Sequence, residues 1–107
     1  MKFIFLTLGF LLISSNLALA IKNEDAVDAA YRTCYAMEQT GMTSSCEVGV
    51  QKVDVRIDMS GGEARKTCAG VAKMMAGITN GFKGGNWKLR LFSTYSGEQP
   101  IAVCNLY

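Results

Sequence analysis

Residues 52–63 read KVDVRIDMSGGE and predict a strand that leads directly into a helix. In the first part, apolar side chains at positions 53, 55, 57 and 59 alternate with charged ones. That period of two is typical of a strand with one buried face. Ser60 and Glu63 then match a capping box, in which each side chain satisfies a backbone group at the start of a helix. We therefore expect a strand over residues 47–59 and a helix that follows Ser60 and ends near Thr79.

The flanking segments predict one more helix and two more strands. A helix should run from Glu24 to about Gln39, with Asn23 as its cap and an apolar stripe formed by Val27, Ala30, Tyr31, Cys34 and Met37. Residues 87–95 and 100–106 flank the turn-forming residues 96–99 and predict a hairpin. The valines at positions 48 and 50 are out of phase with those at 53 and 55, which we interpret as a bulge or bend at residues 51–52.

The predicted element order is helix, strand, helix, strand, strand. It favours an α+β, two-layer sandwich in which both helices cover one face of a three-stranded, mostly antiparallel sheet. In architecture this order resembles BON-type domains and killer-toxin-like α/β sandwiches. The resemblance extends to the order of elements alone, so it implies a fold and transfers no functional residue.

The amino-terminal twenty residues indicate an exported protein. A basic start at Lys2, an apolar run over residues 3–13 and small residues before position 21 have the pattern of a cleaved secretory signal peptide. We expect a mature chain of residues 21–107 that forms a single small domain. It contains no apolar run long enough to span a bilayer. Periplasmic or secreted localisation follows as the expectation.

The four cysteines all lie in the expected mature chain, and an even number in an exported protein predicts disulfides. Chain order and the predicted helix faces favour Cys34–Cys46 together with Cys68–Cys104. Cys34–Cys68 with Cys46–Cys104 is the next arrangement. The cysteines are widely spaced and the chain has no histidine, so we interpret them as structural and expect no metal site.

Charge and composition argue against several functions. The expected mature chain has 10 basic and 9 acidic residues without a basic cluster, so nucleic acid is not an expected partner. Histidine is absent from the sequence, and the thiols are expected to be oxidised. These observations remove the commonest general base and the commonest soft nucleophile. We therefore predict a protein that is not an enzyme and that carries no cofactor or catalytic residue.

Two regions could bind a partner. The loop over residues 81–87 combines glycines with aromatic and basic side chains, and we select Phe82, Lys83 and Trp87 from it. If Cys104 faces the helices, the opposite face of the sheet presents Lys88, Arg90, Phe92, Ile101 and Val103. Its three apolar members would form an exposed patch, and such patches often mark interfaces. Another protein or a second copy of the chain could cover it.

The sequence thus favours an exported, non-enzymatic interaction protein, such as a periplasmic inhibitor or an immunity-type protein. It would bind another protein through the open face of its sheet and the 82–87 loop. Two alternatives stay open. One is a small secreted toxin or antimicrobial effector, and the other is an enzyme with a site that its motifs do not reveal.

Overall fold

The computed structural model describes residues 23–107 and shows an α+β fold with two disulfides. The expected signal peptide, residues 1–20, lies outside the described residues. The elements in chain order are α1 (Ala26–Glu38), β1 (Thr43–Gly49), β2 (Lys52–Ile57), α2 (Gly61–Ile78), β3 (Trp87–Phe92) and β4 (Ala102–Leu106).

The sheet has four strands in the spatial order β1-β2-β3-β4 and is mixed. The outer pairs, β1–β2 and β3–β4, are antiparallel, whereas the central pair β2–β3 is parallel. The expected sheet of three mostly antiparallel strands is therefore wrong. Helix α2 is the crossover that makes the central pair parallel, because it returns the chain to the end of the sheet where β2 began.

The additional strand arises from the segment that the sequence presented as one strand with a bulge. Residues 47–59 instead belong to a hairpin, in which Gly49 pairs with Lys52 and the chain turns at Val50 and Gln51. Gln51 adopts the left-handed conformation, with φ of 54°. The change of phase at residues 51–52 marks the turn between two independent strands, and the element order is α-β-β-α-β-β.

Both helices cover the same face of the sheet. Helix α1 packs on β1 and β2, and helix α2 packs on β3 and β4. The inward side chains of the two central strands are fully or almost fully buried: Val53, Val55, Ile57, Trp87, Leu89 and Leu91. The core is the space between this apolar surface and the two helices.

Each helix is covalently attached to the outer strand beneath it. Cys34 on α1 is bonded to Cys46 on β1, and Cys68 on α2 is bonded to Cys104 on β4. This is the arrangement that chain order favoured. Two disulfides in so short a chain are consistent with an exported protein.

Helix α1 begins later than expected, and its buried side is only partly the expected one, since Ala30, Cys34 and Met37 are buried as expected. It starts at Ala26, and its buried residues are Ala29, Ala30, Thr33, Cys34 and Met37. Val27 and Tyr31, which were expected in the core, are 45% and 62% exposed. Ala29 instead packs closely on the loop after α2, where a Cβ atom added to Gly81 would lie 2.7 Å from the Ala29 Cβ.

The start of the described chain is fastened to the end of α2 by Glu24. Its carboxylate accepts hydrogen bonds from Arg32, at 3.0 Å from Nε and 2.8 Å from Nη2, and from the Thr79 hydroxyl. The Asn23 amide donates to the Asn80 side chain at 2.9 Å. Asn23 and Glu24 are therefore used in tertiary contacts, which explains why the helix begins after them.

The pKa of Glu24 lies below its ordinary value. Burial by itself raises this pKa, but the hydrogen bonds from Arg32 and Thr79 and the charge of Arg32 outweigh burial. A lowered pKa in the folded state contributes stability above the unfolded pKa, which is about 4.3. That contribution is lost as the pH falls through the folded value.

We therefore expect Glu24→Gln to lower the free energy of unfolding by about 1.5–3 kcal/mol at pH 7, the range for hydrogen bonds to a charged group. The difference between Glu24→Gln and the wild type should be smaller at pH 3 than at pH 7, because the stabilisation by the ionised carboxylate begins to be lost once the pH falls below the unfolded pKa. Urea unfolding at both pH values measures this. Glu98→Gln, in an exposed loop, is the control. A deficit as large at pH 3 as at pH 7 would contradict the role of the ionised carboxylate.

Candidate functional site

The side of the sheet that the helices leave uncovered is the main candidate, and we call it the open face. Because successive side chains of a strand point to opposite sides, the strand register defines its members. They lie on all four strands and are mostly polar: Ser45, Glu47, Lys52, Asp54, Arg56, Lys88, Arg90, Phe92, Val103 and Asn105. The sequence correctly placed Lys88, Arg90 and Phe92 opposite the inward residues of β3.

Two arginines enclose an aromatic ring at the centre of the open face. The guanidinium carbons of Arg56 and Arg90 lie 5.3 and 5.2 Å from the centroid of the Phe92 ring. These distances are within the range of a cation–π interaction. Phe92 is only 6% exposed, although neither α1 nor α2 covers this side of the sheet. We call Arg56, Phe92 and Arg90 the arginine–phenylalanine stack.

Hydrogen bonds fix both guanidinium groups of the stack. Arg90 donates to both carboxylate oxygens of Asp54, each at 2.7 Å, and this bond raises its already high pKa. Arg56 donates to the carbonyl oxygens of Ser93 at 2.8 Å and Gly97 at 2.6 Å. The two groups are therefore held in place before any partner binds.

The open face carries a net positive charge. Its four basic residues outnumber its two acidic ones, and the Arg90–Asp54 pair neutralises one charge of each sign. A depression of about 160 Å³ lies beside the stack, lined by Ser45, Glu47, Asp54, Arg56 and Phe92. The surface as a whole suits an acidic, hydrogen-bond-accepting partner.

The expected exposed patch of Phe92, Ile101 and Val103 does not form. Arg56 and Arg90 cover Phe92, and Ile101 is half-buried against the core. Val103 alone of the three is largely exposed, at 53%. The expectation failed because it placed the strands by their apolar pattern and did not include the stacking of long basic side chains on the ring.

The 82–87 loop is chiefly a structural element. Phe82 and Trp87 are 1% and 7% exposed, and their ring centroids lie 5.6 Å apart within the core. The Gln51 side chain donates to the Gly85 carbonyl at 2.9 Å, which joins this loop to the β1–β2 turn. Of the loop residues selected from the sequence, Lys83 alone is exposed, and it lies beside the end of α2.

A further exposed surface escaped the sequence analysis. Val27, Tyr31 and Tyr35 follow one another at intervals of four along α1 and are 45%, 62% and 64% exposed. We call them the tyrosine ridge. A groove of about 410 Å³ runs beside it, lined by Glu24, Asp28, Tyr31, Arg32 and Tyr35. The sequence did contain a sign that this side of α1 is exposed. The polar residues at positions 28 and 32 also follow a spacing of four and lie on the same side of the helix.

Neither clusters of metal-binding side chains nor similarity to known proteins identifies a function for this chain. Among residues 23–107, no group of three or more histidine, cysteine, aspartate or glutamate residues is placed to hold a metal ion. No helix within that range is long and apolar enough to cross a bilayer. The chain matches no protein-family model, no curated protein and no solved structure. The exposed surfaces described above are therefore the features that point to a function.

Proposed function

We propose that this chain is an exported, non-enzymatic interaction protein that binds another protein through the open face. It would act in the periplasm or outside the cell, as an inhibitor or an immunity-type protein does. The observation that supports this proposal is the arginine–phenylalanine stack, in which both guanidinium groups are fixed at the centre of a rigid, uncovered sheet.

Fixed arginines are well suited to binding. Ordering a long side chain at an interface costs about 0.5–1.5 kcal/mol, and here the fold has already ordered Arg56 and Arg90. Arginine is among the residues that dominate binding energy at protein interfaces. The Arg90 side chain keeps 32% of its surface exposed, so part of the group is free to contact a partner.

The charge of the open face indicates the kind of partner. After Arg90 and Asp54 neutralise each other, Lys52, Arg56 and Lys88 are opposed by Glu47 alone. A partner with a cluster of carboxylates would complement this surface and would associate faster at low salt. Such acidic surfaces are common on proteins, so a protein can supply the carboxylates that complement the open face.

The test is affinity capture with the exported, oxidised protein as bait, using extracts of the encoding organism and of its competitors. We expect one protein to be recovered at a fixed stoichiometry. Arg56→Ala with Arg90→Ala should weaken its binding at least about 30-fold, because residues that dominate an interface contribute about 2 kcal/mol or more. Arg65→Ala, an exposed arginine on α2, is the matched control and should bind as the wild type does.

Circular dichroism and melting temperature must show that each bait is folded. Recovery of nothing by the folded wild-type bait would contradict the proposal. So would capture of a partner that the double variant retains at full affinity. Loss of binding with Arg65→Ala but not with Arg56→Ala and Arg90→Ala would place the interface on the helix layer instead.

A further inference from the structure

The two helices present outer surfaces of opposite character on the same molecule. We propose that the chain forms a two-fold dimer in which α1 of each copy packs against α2 of the other. The proposed partner is therefore a second copy of this chain, bound through the helix layer and not through the open face. This inference is independent of the proposed function, since the surfaces differ.

The outer side of α1 is acidic and aromatic. The tyrosine ridge projects from it, with more than half of each tyrosine side chain exposed. Residues 24–38 contain four acidic residues and one basic residue, namely Glu24, Asp25, Asp28 and Glu38 against Arg32. Arg32 is already paired with Glu24, which leaves the exposed carboxylates of Asp28 and Glu38 unmatched by a cation of α1.

The outer side of α2 is basic and flat. Residues 61–78 contain three basic residues and one acidic residue, namely Arg65, Lys66 and Lys73 against Glu63. Lys66, Gly70, Lys73 and Gly77 are exposed and recur at intervals of three and four, so they share one side of the helix. Met74 and Ile78 add exposed apolar surface next to them, at 45% and 36%.

Charge complementarity therefore selects α2 as the counterpart of α1. The carboxylates beside the tyrosine ridge and the amines of Lys66 and Lys73 carry opposite charges. The projecting tyrosine side chains of α1 would pack on the flat outer side of α2. A Cβ atom added to Gly70 or Gly77 would meet nothing within 4 Å, so packing within one copy does not require glycine at either position. Both glycines would allow a helix of the second copy to approach α2 closely.

The fold allows both contacts to form at once. Because α1 lies over β1–β2 and α2 lies over β3–β4, a two-fold axis running between the helices places α1 of each copy over α2 of the other. Such an interface is closed and produces a dimer, not a filament. The open face remains uncovered on both outer sides. Helix α1 is only about 20 Å long, so the contact is at the small end of specific interfaces and micromolar affinity is expected.

Sedimentation equilibrium of the exported, oxidised protein tests this, from about 1 µM to about 300 µM, a range that brackets such an affinity. We expect a monomer–dimer equilibrium that weakens at high salt, because screening reduces charge complementarity. Tyr31→Ser with Tyr35→Ser should raise the dissociation constant at least about tenfold. Tyr95→Ser is the matched control, since Tyr95 is 94% exposed in the β3–β4 loop.

Charge reversal identifies the two surfaces as each other's counterparts. Lys66→Glu with Lys73→Glu should raise the dissociation constant at least about tenfold, and adding Asp28→Lys with Glu38→Lys should restore it toward the wild-type value. A protein that is monomeric at every concentration overturns the proposal. A dimer whose dissociation constant does not change with the tyrosine substitutions overturns it as well. So does a charge-reversed α2 variant whose dimer the reversed charges on α1 fail to restore.

Discussion

Replacing Cys68 and Cys104 together by alanine is expected to lower the free energy of unfolding by about 4 kcal/mol. The two residues are 36 positions apart, and the chain-entropy model assigns about that stabilisation to a loop of this length. The bond also attaches α2 to β4, an outer strand with five residues and hydrogen bonds along one side only. Folded proteins have total stabilities of about 5–15 kcal/mol, so this one bond accounts for between about a quarter and four fifths of such a total.

Guanidinium chloride unfolding under oxidising conditions measures this change. Cys34→Ala with Cys46→Ala is the matched comparison, because that bond closes a loop of 12 residues and should contribute about 3 kcal/mol. Removal of the Cys68–Cys104 bond should also make the backbone amides of β4 exchange their hydrogens faster. The assignment of stability to loop length is wrong if removing the Cys34–Cys46 bond lowers the free energy of unfolding more than removing the Cys68–Cys104 bond does. It is also wrong if removing the Cys68–Cys104 bond leaves the free energy of unfolding unchanged.

Phe82→Ala is expected to lower the free energy of unfolding by about 3–5 kcal/mol, the range for a large aromatic residue removed from a core. The side chain is 1% exposed and contacts the Trp87 ring at the end of the sheet where β2 and β3 begin. Its removal leaves a cavity that the short loop, held by Gly85 and Gln51, cannot easily fill. The substitution should therefore change folding and not partner affinity.

The adjacent exposed residue provides the control. Lys83→Ala should change stability by less than about 0.5 kcal/mol, as surface substitutions usually do. Thermal unfolding, together with near-ultraviolet circular dichroism of Trp87, distinguishes the two variants. If Phe82→Ala were as stable as Lys83→Ala, Phe82 would be a surface residue and the sequence-based choice of this loop as a binding feature would regain support.

Helix α2 and the inward faces of β2 and β3 were predictable because local chemistry specifies them. The Ser60 side chain accepts a hydrogen bond from the Glu63 amide, which is one of the two bonds of a capping box, and α2 begins at the next residue. The hairpin of β1 and β2 was not predictable in the same way. Its turn contains Val50 and Gln51 and lacks the glycine or asparagine that ordinarily marks such a turn.

Tertiary contacts explain that unusual turn. The Gln51 carbonyl accepts a hydrogen bond from the Lys88 amide at 3.0 Å, and the Gln51 side chain donates to the Gly85 carbonyl. Both partners are more than thirty positions away in the chain. Local propensity therefore contained no signal for the turn, and the change of phase between Val50 and Val53 was interpreted as a bulge or bend within one strand.

The candidate site was predictable only in outline. Alternation along β3 placed Arg90 and Phe92 on the open face, but the sheet order was needed to bring β2 beside them. The parallel register pairs Asp54 with Arg90 and Arg56 with Phe92, and this register creates both the ion pair and the stack. Without β2 as its parallel neighbour, Phe92 would lack the cover that Arg56 provides.

The most direct test of binding through the open face is a map of backbone amide chemical shifts, recorded with and without the protein recovered by capture. We predict that the largest changes fall on β2 and β3, at Asp54, Arg56, Arg90 and Phe92, and extend to Val103 on β4. Signals from the tyrosine ridge should stay in place. Changes confined to α1 and α2, with the signals of β2 and β3 unmoved, would contradict the proposed interface.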